Sequence, residues 1–332
     1  MSSDSTSVEA LAPGKVNLFF AVGGVRGDGY HPVASLYSAV SMYERVVLTP
    51  TQRRGITVSA SIAEGSLLDQ MAQAGEFDLS VVPLNNKNLA SKAAELILLE
   101  QNLTVLDVSL DIHLVKAVPV AGGMGGGSAD AAATLRAMNE YLVRAGLVDA
   151  PVAEPRILEI AATLGADVPF AYAGGLAIGM GVGDELTHVE ADGSEDSALN
   201  LVMVASPTGL STPAVFAELD AGREQNKYPA PGELNVPEEL LEALTSTGAP
   251  IARLHEISRY LRNDLQQPAL TLQPELAKTL GFQDAQIVAS FVSGSGPTIA
   301  LLMESEADAE ALAKSLCRRG RYAVAVKTPA EG

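Results

Sequence analysis

The chain has 332 residues, 47% of them hydrophobic, with one cysteine, four histidines and a formal net charge of −18. That length and apolar content suit two packed domains and exclude a disordered chain. So acidic a protein is a poor binder of nucleic-acid backbone, and a lone Cys317 excludes an internal disulfide framework or a cysteine metal cluster. The four histidines show no metal-ligand spacing. No apolar run reaches the ~18 residues of a membrane span, and the polar start from Met1 to Val8 lacks the basic region of a signal peptide. A soluble, cytoplasmic protein is therefore expected.

In chain order, Leu11 to Val22 reads as an apolar strand followed by a glycine turn, and Leu36 to Leu48 as further strand. Two more strands are predicted, at Gly55 to Ala60 and at Phe77 to Val82. Asn88 to Leu99 is rich in Ala and Leu and predicts a helix. Val108, Leu110, Ile112 and Leu114 alternate with Ser109, Asp111 and His113, the pattern of a half-buried strand. The period then changes: Ala131, Leu135, Met138 and Leu142 fall on one helix face. A second helix starts at Pro155, buries Ile157, Ile160, Ala161 and Leu164, and stops at Gly165. A strand region opens at Gly174. The second half offers a strand at Leu199 to Ala205, then a long surface loop from Asp220 to Glu239 carrying three prolines. A helical region from Ile251 to Leu265 follows, then a strand ending at Val292 and another at Ile299 to Met303. Last come a helix with Ala309, Leu312, Ala313 and Leu316 on one face, and a strand at Tyr322 to Val326. Cys317, in the last turn of that helix, reads as an apolar filler. Strands and helices alternate without a repeated β-α-β phase, which predicts an α+β protein of two lobes. The division is placed at residues 1–185 and 186–332.

The sharpest local signal is Pro119, Val120, Ala121, Gly122, Gly123, Met124, Gly125, Gly126, Gly127, Ser128 and Ala129, between a strand and a helix. Glycines let backbone N–H groups close on a phosphate, and the helix N-terminus adds unpaired N–H groups and its dipole. A triphosphate can be held this way without a basic surface. A side chain at Gly126 is expected to intrude on the cradle. The loop lacks the Gly-Lys-Ser/Thr ending of a Walker loop and the leading β-α-β unit of a dinucleotide fold. Ser128 is read as a phosphate or magnesium partner, a helix N-cap, or both. Lys116 is either near the nucleotide or a solvated strand end.

Read with two further segments, this loop resembles the GHMP kinases, whose three motifs occur here in order: Ala12-Pro-Gly-Lys-Val-Asn-Leu18, the glycine loop, and Val292-Ser-Gly-Ser-Gly-Pro-Thr298. Within that superfamily, Asp28-Gly-Tyr-His31, Gly165-Ala-Asp-Val-Pro169 and Thr212-Pro-Ala-Val-Phe216 resemble the 4-diphosphocytidyl-2-C-methyl-D-erythritol kinase branch, which serves isoprenoid synthesis by the methylerythritol phosphate pathway. The resemblance implies a two-lobed fold, with a first lobe like domain 2 of ribosomal protein S5 and a ferredoxin-like second lobe. It implies Lys15 and Asp167 at the chemistry. It places Asn17, Tyr30, His31, Thr212 and Phe216 around a cytidine-bearing alcohol, and ATP, with magnesium, on Pro119 to Ala129 with Asn88 and Lys116 near the nucleoside. No metal-binding side chain is assigned. Four positions depart from the branch: Gly14 for the usual alanine, Ala121 where glycine is common, Ala129 for a frequent serine, and Pro297 at a usually small or hydroxyl position of the third motif.

As chemistry, phosphoryl transfer to an alcohol needs a positioned hydroxyl, a proton acceptor and neutralised phosphate charge. Asp167 suits the acceptor; taken alone it equally suits a cap on the helix that follows. Lys15, among apolar neighbours, could pair with it, or could snorkel from an edge strand. Tyr30 and His31 on a turn suit a pyrimidine, or a loop anchored by a buried tyrosine; Phe216 also suits the core. Asn17, polar inside an apolar run, needs a substrate or backbone partner. Alternatives within the class are homoserine and mevalonate kinases; outside it, a catalytically idle ligand sensor. Small-molecule substrates and a monomer or weak homodimer are expected.

Overall fold

The computed structural model describes residues 7–190, 198–245 and 250–332. The first lobe opens with strands β1 (Val8–Val22) and β2 (Val33–Pro50), paired antiparallel. β3 (Gly55–Ile62), α1 (Leu67–Gln73), α2 (Leu89–Glu100), β4 (Ser109–Lys116), α3 (Gly126–Arg144), α4 (Glu154–Leu164), α5 (Val168–Ala173), β5 (Leu176–Met180) and β6 (Glu185–His188) follow. The sheet runs β3-β4-β2-β1, with the β5–β6 hairpin also on β2. β1 is buried without a break from Ala12 to Val22, the mark of a strand covered on both faces. β4 shows the expected alternation. Leu110, Ile112 and Leu114 pack with Ile97 and Leu98 of α2 and Leu135 and Met138 of α3. Each of those buried side chains contributes roughly 1.5–3 kcal/mol. The polar face of β4 is tied to β3: Thr57 and Ser59 donate to Asp111, and Ser59 and Ser61 reach the two ring nitrogens of His113.

The second lobe contains β7 (Leu199–Ala205), α6 (Thr212–Glu224), α7 (Glu238–Thr245), α8 (Pro250–Tyr260), β8 (Arg262–Asn263), α9 (Gln266–Leu272), α10 (Leu276–Leu280), β9 (Ile287–Val292), β10 (Ile299–Met303), α11 (Glu306–Arg318) and β11 (Tyr322–Thr328). β8 crosses back to add a parallel edge to β1. The other four strands form an antiparallel sheet ordered β11-β7-β10-β9, a ferredoxin-like arrangement. Side-chain alternation divides its two faces. Val202 and Val204 of β7 meet Val215 and Leu219 of α6 and the predicted face of α11. Leu201 and Met203 instead join Leu18, Met42, Leu67 and Leu68 of the first lobe. The lobes therefore share a core, which fixes the cleft between them.

Several predicted elements are corrected. Phe77 to Val82 is not a strand but a single 3₁₀ turn, Leu79–Val81, begun by Asp78 accepting from Ser80 N. The loop placed at Asp220 to Glu239 is narrower, because α6 runs on to Glu224 and α7 begins at Glu238. The helix predicted to Leu265 ends at Tyr260, and Arg262–Asn263 is strand. α1, α9 and α10 are short and were hidden in weakly patterned sequence. Cys317 is exposed rather than a filler, its thiol donating to Ala323 O at 3.2 Å.

Candidate active site

A cleft of about 850 Å³ lies between the lobes. Its walls include Pro119 to Gly123, Gly125 to Ser128, Lys15, Tyr30, His31, Asn88, Lys116, Asp167, Thr212 and Phe216. Met124, Ala129 and Asn17 are not among its lining residues. Met124 and Ala129 are fully buried behind the loop, and the Met124 carbonyl accepts from Lys15 N at 2.9 Å.

The loop rises from β4 and turns into α3 at Gly125, whose φ of 73° begins the helix without a side-chain cap. Ser128 therefore lies inside the first turn and is not the N-cap. The glycines answer two demands. Gly123 (φ +75°) lies against the third motif, where a Cβ would stand 2.2 Å from Ser293 O. Thr298 N and Ser293 Oγ donate to the carbonyls of Gly122 and Gly123. Gly127 faces open space, its nearest neighbour being Leu89 Cδ1 at 3.9 Å. At Gly126 the expectation of a side chain intruding on the cradle fails: its Cβ would point inward, 3.1 Å from Glu44 Oε1 and 3.3 Å from Val118. Val118 also explains Gly14, where a Cβ would come within 3.2 Å of it. Ala121 takes the left-handed region at φ 52°, which accounts for glycine being the commoner residue there.

Lys15 and Asp167 meet at the foot of this loop. Their Nζ–Oδ2 separation is 3.7 Å, and a Cβ at Gly125 would touch both. Lys15 is no snorkelling edge residue: it is 8% exposed, with β2 on one side of its strand and the glycine loop on the other. Its ammonium donates to Asn17 Oδ1 at 2.7 Å, and Asn17 Nδ2 donates to Ser35 Oγ at 2.7 Å. Asn17 thus has side-chain partners, and it reaches the cleft through Lys15. Asp167 stands at the start of α5 but makes no side-chain cap bond, so the capping alternative is not realised. Tyr37 flanks the pair, with Lys15 Nζ 5.4 Å from its ring centroid. Burial, then the Asp167 charge, push its phenol well above the usual range.

Lys116 is neither solvated nor free for a ligand. It is buried between Glu44 (2.6 Å) and Asp130. Glu44 Oε2 also accepts from Ala117 N at 2.8 Å. Burial and the neighbouring Asp130 charge outweigh Lys116 and raise the Glu44 pKa to about 8. Burial raises Asp130 as well. Burial works against the Lys116 ammonium, but its two carboxylates prevail and hold its pKa up. Asn88 is likewise committed: it caps α2 through Ala90 N and donates to Pro83 O.

At the other end, Asp28 accepts from Tyr30 N in the predicted turn, with Gly29 at φ 83°. Tyr30 is 63% exposed, so it does not anchor the loop as a core residue. His31 is buried, its ring 5.0 Å from that of Phe216. Thr212 Oγ1 lies 2.8 Å from Ser295 Oγ of the third motif.

Three glycine-bearing segments, a Lys–Asp pair and an aromatic end thus share one cleft. Residues 88–175 match the GHMP kinases N terminal domain, and residues 239–321 match GHMP kinases C terminal. A 4-diphosphocytidyl-2-C-methyl-D-erythritol kinase of Paenarthrobacter aurescens is 45% identical over 98% of this chain and 95% of its own. The chain belongs to the GHMP kinases. A crystal structure of 4-(cytidine 5'-diphospho)-2C-methyl-D-erythritol kinase superposes with a TM-score of 0.68 at 29% identity, covering 97% of this chain and 99% of the other. A homoserine kinase from Cytophaga hutchinsonii, at 17% identity and TM-score 0.63, covers 100% of this chain and 97% of its own and shares the fold.

Sequence reading of this GHMP kinase missed Tyr37, Asp220 and the Glu44–Lys116–Asp130 cluster. Asp220 had a usable signal, since it lies four residues after Phe216 and hence on the same side of a helix. Reading a loop from Asp220 onward, with no helix before it, concealed it. Glu44 had none: it is one acid in a strand, and its partners come from other segments.

Proposed function

We propose that this ATP-dependent small-molecule kinase phosphorylates the 2-hydroxyl of 4-diphosphocytidyl-2-C-methyl-D-erythritol, in non-mevalonate isoprenoid precursor synthesis. The observation that carries the mechanism is the Lys15–Asp167 pair, set beside Gly125 in a cleft whose far wall is His31 and Phe216. The cytosine end of the substrate lies by Tyr30, His31 and Phe216, with Thr212 nearby, and the triphosphate lies on Gly122 to Ser128. Asp167 takes the proton as the substrate oxygen bonds to the γ-phosphorus. The bond from that phosphorus to the bridging oxygen breaks, and ADP leaves. Lys15 offsets the charge spreading over the transferring group. Loop N–H groups and the α3 terminus hold the remaining phosphate charge, so an overall charge of −18 is no obstacle.

Magnesium fits this cleft as a companion of ATP. Ser128, half-exposed at the head of α3, offers one hard oxygen, and magnesium draws its other ligands from phosphates and water. It would neutralise phosphate charge. The reading carries with it a two-lobed division near residue 185, a cytoplasmic location and a monomer or weak homodimer. No helix among the described residues is long and apolar enough to cross a membrane. An ADP-release assay over a panel of alcohols tests the substrate. The cytidine diphosphate-linked polyol should outpace homoserine and mevalonate by orders of magnitude; turnover of either of those at comparable efficiency overturns the assignment.

A further inference from the structure

The β1–β2 loop that brings Tyr30 and His31 to the cleft is gripped at both ends by one face of α6. At its entry, Arg223 donates to the carbonyls of Val22 (2.8 Å) and Gly23 (2.9 Å). At its exit, His31 Nε2 lies 2.8 Å from Asp220 Oδ1. Residues three apart on a helix are neighbours, so Asp220 and Arg223 act as a pair of clamps. Gly23 N closes the base of the loop on Pro32 O at 2.8 Å. His31 is also packed against Phe216, one helical turn before Asp220.

An ionised carboxylate only accepts hydrogen bonds, so Nε2 must carry a proton. Nδ1 has no hydrogen-bond partner among the described residues and is the nitrogen left for a ligand. We infer that Asp220 is a positioning and specificity residue: it holds His31 as the neutral Nε2–H tautomer, so that Nδ1 offers a lone pair to the exocyclic amino group of cytosine. This rests on the cytidine-bearing substrate proposed above. Uracil presents a carbonyl oxygen at that ring position, and two lone pairs would then face each other, an unpaired contact that a polar site rejects. Without Asp220 the imidazole can exchange tautomers and offer an N–H to uracil instead.

Two measurements test this. The first compares kinase activity on the cytidine and uridine diphosphate-linked polyols for the parent, Asp220→Ala and Asp220→Asn. Asp220→Ala should raise KM for the cytidine substrate about tenfold, the worth of one hydrogen bond at a buried polar contact. It should leave kcat and the KM for ATP within about twofold and lower the cytidine-to-uridine selectivity by a similar factor of about ten. Asp220→Asn can accept from Nε2–H but can also donate to a bare Nε2, so its selectivity should fall between those of the parent and Asp220→Ala. Selectivity unchanged in Asp220→Ala overturns the proposal, because a merely structural role would weaken both substrates alike. The second measurement reads the His31 ring by nitrogen NMR in the unliganded protein, independently of the substrate assignment. The parent should show the Nε2–H form, and Asp220→Ala a tautomer mixture. Identical His31 spectra in the two proteins, or a doubly protonated ring in the parent, overturn it. A parent that phosphorylates neither nucleotide-linked polyol would instead overturn the proposed function, with the NMR result still deciding the role of Asp220.

Discussion

Replacing Asp167 by Asn isolates proton acceptance from everything else that side chain does. Asp167 makes no cap bond, so Asn has none to lose. Lys15 loses a carboxylate 3.7 Å away but keeps its 2.7 Å bond to Asn17. At that separation two unit charges interact by about 4 kcal/mol at an effective dielectric of about 20. The Asp167 side chain is 31% exposed, however, and pairs reached by solvent return only about 0–1 kcal/mol in stability. The fold should therefore lose less than about 1 kcal/mol. Turnover should fall far more. A positioned general base is worth about 10²–10⁴ in rate, or about 3–5 kcal/mol of barrier. Kinases lean on positioning, which favours the lower end. The assays are steady-state ADP release at saturating substrates, calorimetric binding of each ligand and a thermal melt. A variant that folds, binds both ligands and turns over within a few-fold of the parent would remove Asp167 from the chemistry.

Three further outcomes follow from the packing of the loop and the cluster beneath it. Gly127→Val, whose side chain enters open space, should lower ATP affinity at least about tenfold in calorimetry with little change in stability, whereas Gly126→Val, driven against Glu44 and Val118, should cost about 1–3 kcal/mol in urea unfolding; equal behaviour of the two would refute the orientation of the loop. Ala121→Gly should stabilise by roughly 0.5–1 kcal/mol, because relief of the left-handed φ of 52° exceeds the added freedom of the unfolded chain; a net loss of stability would show that Ala121 is unstrained. The folded pKa of Glu44, about 8, stands above its ordinary 4.5, so protonation favours the fold. That stabilisation is complete below the unfolded value and is lost as pH rises through the folded one. Melts from about pH 6 to about pH 9 should show the parent losing stability, on the order of a few kcal/mol, and Glu44→Gln a flatter profile; matching slopes would mean that Glu44 is ionised throughout.

The three motifs, the α+β class and the regular strands and helices were legible in the residues themselves. The signals there are local: alternation on β4, a 3.6-residue period on α3, and glycine density between the two. Such patterns report which side of an element is buried, because burial repeats with the geometry of the backbone. They do not report which charge meets which. Lys116 looked like a strand end near a nucleotide and is held by Glu44 and Asp130. Asn17 called for a substrate or backbone partner and holds Lys15. His31 was singled out, but its partner Asp220 lies 189 residues away. Gly123 was read as part of the cradle, yet what forbids a side chain there is Ser293 of the third motif. The contacts of His31 and Gly123 depend on the packing of the two lobes through their shared core, and the Lys116 cluster on packing within the first lobe; both are set by the summed burial of many apolar side chains. A polar contact between distant segments is a consequence of that packing and leaves no period in the sequence.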